Sequence, residues 1–442
     1  MGNRIKALVF IVLPLTCLQL SHAQQGGDHS GHDHPAFAKD GAWCWFSDPR
    51  AVFYDGTHQR TYAGWITGSG EVEVGYYDHQ TGDISTHVLE DNFQVDDHNN
   101  PSLLFDREGY LMVFYSEHST EKPIYLQKSS NPEDITEWEE RRSLDLNDSE
   151  KYEGYSDTYT YTNPQYLSGE DKLYLFWRGS DFKPNYAVSG DEGESWSKGD
   201  ILILPDREYR DRRPYLKVSS NGKDRIHFAF TDGHPRDEPT NSIYYMQYRD
   251  DRFLRPDGTE IGNIEDGPVP PEESSLVYDA SESGERAWIW DVAQDEEGHP
   301  VIVYAKFPDN ETHIYCYARW NGEQWKNYEL VDSGSWFPET PEGDEEREPN
   351  YSGGIVLDHE NPGTVYLSRQ KEGVFEIEKW TTPDGGESWE EEAVTRNSQQ
   401  DNVRPFAVRN AGEGDPIQLL WMENSRYVHY TDYRSVIRMD LQ

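Results

Sequence analysis

The sequence predicts an all-β fold, a seven-bladed β-propeller, on three observations. From residue 41 onward no long 3.6-residue periodicity appears, and short strand-like runs alternate with Gly, Asp, Asn and Pro clusters. Two segments share one hairpin-turn motif. Strands rich in aromatics return at a period of about 50 residues, the spacing of four-stranded blades.

The shared motif reads S/T-x-D-x-G-x-S/T-W and occurs at Ser189–Trp196 and Thr382–Trp389. This Asp box is a turn device. Its Asp accepts turn N–H groups, its Gly supplies a positive φ, and its Trp packs into the sheet beneath. The motif is structural and carries no chemistry of its own. The rest of the chain phases against it. Inner strands open near Ala51, Pro101, Pro164, Pro214, Asp291, Ser352 and Pro405. Second strands follow at 60–67, 110–118, 172–179, 225–234, 299–307, 363–369 and 417–423. Trp320-Asn-Gly-Glu-Gln-Trp325 marks another hairpin, and the acidic stretches 254–287 and 333–349 read as long loops between blades.

Composition agrees with one large β unit. Aromatics are 13% of 442 residues, with 14 Trp and 29 Tyr, too many for a disordered chain. The 83 acidic and 40 basic residues give a formal net charge of −43, which excludes nucleic acid as a partner because phosphate binding needs a basic face. An anionic ligand then requires a local basic cleft. The densest basic run is REYRDRR, carrying Arg207, Arg210, Arg212 and Arg213.

Residues 1–23 read as a secretory leader. Arg4 and Lys6 precede an apolar stretch, Ala7 to Leu20, and Ser21-His22-Ala23 offers a cleavage site. The stretch is too short for a membrane anchor, and Thr16 before Cys17 is a poor lipobox residue. A secreted or periplasmic protein without membrane insertion is expected, and a monomer. Residues 24–40 are expected to form a flexible Gly/His-rich linker, with the propeller spanning 41–442. Cys44 and Cys316 remain after leader removal, too few for a disulfide framework.

In a propeller, second strands run toward loops that ring one mouth of the central channel, where binding and catalysis usually sit. His118, Arg178, His234 and Lys306 lie at such strand ends. His98 in Asp96-Asp97-His98-Asn99-Asn100-Pro101, the tyrosines from Tyr155 to Tyr161, and Arg212-Arg213-Pro214-Tyr215 sit at matching phases just before inner strands. Neighbouring blades bring these groups toward one mouth, as a set of acid/base side chains beside an anion binder.

Several of these stretches carry a resemblance. The segment 41–50 (GAWCWFSDPR), DDHNNP, FYSEHS, YTNPQYL, LFWRG, RRPYLKV and TDGHPR resemble the BNR-4 repeat propellers, over about residues 41–440. Among these, the ulvan lyases of polysaccharide lyase families 24 and 25 are similar to this chain. The resemblance implies a seven-bladed enzyme that cuts a sulfated, uronate-containing algal polysaccharide by β-elimination. It implies His98, His118, Tyr161 and Arg178 as the site, with Tyr159 a rival for the tyrosine. Arg178 would hold the uronate carboxylate. Tyr161, its pKa lowered by Arg178, would move the protons with a histidine assisting. Arg212, Arg213 and His234 would bind the anionic polymer. No cofactor is expected for the chemistry. The resemblance also suggests a structural zinc, for which His234, His313 and Cys316 are the available ligands. A sialidase-like hydrolase shares Asp boxes but needs an arginine triad, and a glycan-binding propeller needs only the aromatics.

Overall fold

The computed structural model describes residues 34–337, 348 and 350–441. Its strands form seven antiparallel sheets, each a blade running from an inner to an outer strand. Blade 1 extends from Ala51–Asp55 to Ile84–Glu90, blade 2 from Ser102–Phe105 to Arg142–Leu144, and blade 3 from Thr160–Leu167 to Asp200–Ile201. Blade 4 begins with Leu216–Ser220, blade 5 runs from Arg286–Gln294 to Trp325–Asp332, and blade 6 from Ile355–Leu357 to Glu390–Ala393. Blade 7 opens with Asp401–Ala407. The inner and second strands are almost wholly buried, while the outermost strands alternate or face solvent. One four-residue α-helix, Ala280–Ser283, occurs among the described residues.

Both Asp boxes form the expected hairpins with matching bonds. Asp191 accepts from Ser195 N at 2.8 Å and from Ser195 Oγ at 2.6 Å, and Trp196 Nε1 donates to Gly193 O at 3.1 Å. Asp384 accepts from Ser388 N at 2.8 Å and Oγ at 2.6 Å, and Trp389 Nε1 donates to Gly386 O at 3.2 Å. Each box joins the third strand of its blade to the fourth.

Two expectations are corrected. The linker does not run to residue 40. Ala36–Ala38 is a strand, and it pairs with Asp432–Met439 as the fourth strand of blade 7. Blade 7 is thus built by chain from both ends, which closes the ring. Nor is 254–287 a bare loop. Glu260–Asn263 and Ser275–Tyr278 add to blade 4 and make it six-stranded. The leader 1–23 and most of 333–349 lie outside the described residues.

The segment 42–50 threads the channel and ties the blades together. Ala42 N donates to Ile66 O of blade 1, and Trp43 Nε1 to Arg404 O of blade 7. Cys44 N donates to Asn100 Oδ1, Trp45 Nε1 to Ile289 O of blade 5, and Asp48 N to Asn163 Oδ1 of blade 3. Trp45 stacks on Trp290 with ring centroids 4.2 Å apart and meets Trp288 edge-on at 5.0 Å. Below it Asp48 is paired with Arg50 at 2.9 Å and with Lys217, all buried. Buried charges persist only when paired like this. Beyond the plug, at the far ends of the inner strands, a cavity of about 680 Å³ is lined by Asp48, Gln165, Ser219, Gln294, His359 and Arg409, among others. The residues expected to do chemistry sit at the opposite ends of those strands.

Candidate active site

Residues from blades 2, 3, 4 and 7 meet at the mouth where inner strands begin. The turn before blade 2 is capped by Asp96, whose Oδ1 accepts from His98 N at 2.9 Å. The same carboxylate receives both histidines, His98 Nδ1 on Oδ1 at 2.7 Å and His118 Nδ1 on Oδ2 at 2.8 Å. The two rings stack at 4.1 Å with planes 14° apart. Burial alone would raise Asp96, yet His98 and the bonds from both rings hold its carboxyl below the usual carboxylate range. Burial and the neighbouring His98 lower His118 to about 4, so its imidazole is neutral near pH 7. Tyr430, on the last hairpin, meets His98 edge-on at 4.6 Å and His118 at 5.4 Å.

Tyr161 is aimed by a bulge. The register of Thr160–Leu167 slips between Thr160 and Asn163, and Tyr161 takes φ of 62°, left-handed backbone that a tyrosine rarely adopts. Arg404 in blade 7 repeats the device, with φ of 50° at a slip in its own inner strand. The Tyr161 ring is 5.6 Å from His98 and 6.3 Å from His118, and Arg178 lies 4.6 Å above it. Its hydroxyl has no hydrogen-bond partner among the described residues. Tyr159 is placed otherwise. Its hydroxyl donates to Asp145 at 2.9 Å and accepts from Asn147 N at 2.8 Å, and its ring stacks on Trp177 inside the blade. Tyr161 is therefore the tyrosine at the mouth.

Arg178 ends its strand fully inside the site. Its Nη1 donates to Tyr215 OH at 2.9 Å and its Nη2 to Ser119 Oγ at 3.0 Å, while Nε is buried without a partner. No carboxylate pairs with it among the described residues. The other buried arginines do have one: Arg50 holds Asp48 at 2.9 Å and Arg404 holds Asp97 at 2.6 Å. Tyr161, Arg178 and Tyr215 border a pocket of about 20 Å³, room for a single small group.

The expected lowering of Tyr161 is not found. Burial outweighs the nearby Arg178 and raises its phenol well above 10, so Tyr161 carries its proton. The basic run also differs from expectation. Arg212 is taken by Asp232 and Glu238, both at 3.0 Å, and Arg213 by Asp237 at 2.9 Å. Arg210 instead donates to Tyr155 OH at 3.2 Å and has no carboxylate partner among the described residues. His234 forms a wall of the site between Trp288 at 4.5 Å and Tyr215 at 5.4 Å. Its Nδ1 accepts from Arg236 N at 3.0 Å, which places its proton on Nε2. Lys306 does not reach the mouth group, being held by Glu285 at 2.7 Å and Glu329 at 2.6 Å.

The suggested zinc ligands do not converge. His234, His313 and Cys316 form no group with ligand atoms within 4.8 Å of one another among the described residues. His313 is enclosed by Phe307 and Trp336, with neither ring nitrogen partnered among the described residues, and burial lowers it to about 3. Burial pushes the Cys316 thiol up to about 12, and both it and Cys44 are free and buried. His313 has a consequence for stability. Between pH 6.5 and 3 the unfolded chain binds a proton that the folded ring refuses, so this contribution is complete above 6.5 and fades as pH falls toward 3. His313→Phe should leave stability at pH 7 unchanged or raise it by about 1–3 kcal/mol, since two unsatisfied polar atoms are removed. It should also flatten the loss of melting temperature with acid. Destabilisation at neutral pH together with loss of a bound metal would show that this ring holds a ligand.

Comparison with known proteins follows the same lines. A family model described as BNR repeat-containing family member matches residues 60–333, more than half of the chain. The chain belongs to the BNR repeat-containing family. An ulvan lyase of Nonlabens ulvanivorans is 22% identical to this BNR-repeat propeller, over 87% of this chain and 85% of that protein. A solved ulvan lyase of polysaccharide lyase family 25, bound to -[GlcA(1-4)Rha3S]-, matches with a TM-score of 0.67 at 18% identity, covering 93% of this chain and 95% of that one. A second structure of a family 25 ulvan lyase gives the same values. These likenesses establish a shared seven-bladed fold.

Asp96, Ser119, Tyr215 and Tyr430 of this BNR-repeat propeller were not singled out by sequence reasoning. Asp96 and Tyr215 lie within the motifs that mark His98 and Arg213. Tyr430 has no such signal, because its place over His98 depends on ring closure.

Proposed function

We propose that the protein is a secreted polysaccharide lyase that cuts a uronate-containing polymer, ulvan or a close relative, by β-elimination. The observation that carries this reading is Arg178, a buried guanidinium without a carboxylate in a chain of net charge −43. A desolvated cation with free donor capacity is a seat for an anion. The ulvan lyase relatives support a uronate as that anion.

The chemistry uses the groups at hand. Arg178 binds the uronate carboxylate and stabilises the enolate-like charge that develops on losing the C5 proton. An imidazole, His118 or His98, takes that proton through Nε2. The electron pair left on C5 forms the C4–C5 double bond as the C4–O bond breaks. Tyr161, which carries its proton, gives it to the departing oxygen. The histidine then returns a proton to Tyr161, and no water is consumed. Tyr161 thus acts first as the acid, a change from a deprotonated tyrosine base that follows from its burial.

Incubation of the protein with ulvan and other uronate polymers should produce the ultraviolet absorbance of unsaturated uronate ends. Polymer binding without that signal would favour a glycan-binding role. New reducing ends without it would indicate a hydrolase.

A further inference from the structure

Two histidines share one carboxylate at this mouth, and the way they share it sets what each can do. Asp96 is 2% exposed and its two oxygens are divided, Oδ1 to His98 and Oδ2 to His118. A carboxylate only accepts, so each Nδ1 must carry a hydrogen. Each Nε2 is then a bare lone pair in the neutral ring. Neither Nε2 has a hydrogen-bond partner among the described residues. The rings are stacked and nearly parallel.

Other charged groups face the pair from both sides. Asp97 Oδ1 lies 3.3 Å from His98 Nδ1, but Asp97 is already engaged by Arg404 at 2.6 Å and by Tyr427. Arg178 and Tyr161 stand on the blade 3 side, the first a cation that opposes protonation of His118. Tyr430 covers the blade 7 side, with Glu348 near His429 at 3.6 Å and acting on His98.

We propose that Asp96 is a positioning residue that fixes His98 and His118 as matched Nδ1–H tautomers, so that the pair presents two bare Nε2 atoms to the mouth. This deepens the lyase reading by naming what sets the base, while the tautomer assignment stands without any substrate. The motif's first residue thereby acquires a role that neither histidine supplies alone.

Asp96→Asn gives an asymmetric test. Asn keeps one acceptor oxygen, and His98 already makes two bonds to Oδ1, through its backbone N and Nδ1. The oxygen therefore stays with His98 and preserves the turn cap, while the amide NH₂ faces His118. That ring must then accept at Nδ1 and move its hydrogen to Nε2. Nitrogen-15 NMR of labelled histidine rings reads this directly, with His98→Gln and His118→Gln used for assignment. Both rings should be Nδ1–H in the native protein. In Asp96→Asn, His98 should stay so and His118 should become Nε2–H. Elimination on ulvan should fall about 10²–10⁴-fold, the range for losing a correctly set base. Asp96→Glu keeps two acceptor oxygens, so it should keep both Nδ1–H tautomers and recover part of the activity. An Nε2–H ring in the native protein, or an Asp96→Asn protein with both tautomers unchanged, would overturn the assignment. A correct tautomer pattern in a protein that never cleaves uronate polymers would leave Asp96 standing and sink the lyase reading instead.

Discussion

Tyr161→Phe should lower elimination about 10²–10⁴-fold while leaving polymer binding nearly intact. The change deletes one hydroxyl and nothing else. That hydroxyl has no partner among the described residues, so its loss strands no other group and the fold should be as stable as before. Burial keeps the phenol protonated despite Arg178, which suits the donor that the departing oxygen needs. The neighbouring Tyr159 supplies the control. Its hydroxyl is bonded to Asp145 and to Asn147 N, so Tyr159→Phe should cost about 1–3 kcal/mol of stability with turnover unchanged. The two variants separate along different axes, kcat for Tyr161 and melting temperature for Tyr159. A Tyr161→Phe protein with near-normal kcat would remove the tyrosine from the chemistry.

Arg178→Ala should be at least as damaging, about 10³-fold in kcat/KM, because the developing enolate charge then has no cation. The guanidinium is held by Ser119 Oγ and Tyr215 OH in one plane and rests on the Tyr161 ring. Arg178→Lys keeps the charge but lacks the planar fork. It cannot span both holders and still meet a carboxylate on two donors, so activity should fall about 10²-fold with weak binding retained. Equal losses in both variants would mean that the charge without the planar fork counts for nothing there, and equal activity in all three would exclude Arg178 as the carboxylate seat.

The fold was legible because its signals are local. An Asp box works through neighbours within eight residues, so Ser189–Trp196 and Thr382–Trp389 mark hairpins whatever surrounds them. The second strands announce themselves by runs of buried aromatic and branched residues such as Lys172–Arg178 and Pro300–Phe307. Ala36–Ala38 gave no such signal, since a three-residue run beside a His/Gly tether becomes a strand only when Asp432–Met439 offers an edge. The acidic stretch at 254–287 hid two strands for a similar reason: they lie on the solvated outside of blade 4, where hydrophobic alternation is weak.

The site was legible in its residues more than in its electrostatics. The shared phase of His98, His118, Tyr161 and Arg178 put four groups at one mouth, and the structure brings those four together. Which residues answer which charges depends on contacts between strands and loops far apart in sequence. Arg212 and Arg213 read as free cations but find Asp232, Glu238 and Asp237 across the turn. Lys306 reads as a strand-end cation but is claimed by Glu285 and Glu329. The zinc set rested on residue types alone, and no convergence of His234, His313 and Cys316 supports it.

The central claim is that this mouth eliminates and does not hydrolyse, and mass spectrometry of a defined uronate oligosaccharide tests it most directly. Elimination moves a proton from C5 to the departing oxygen, so the masses of the two fragments should sum to that of the parent. Hydrolysis adds water across the bond, and fragments summing to the parent plus one water would contradict the account.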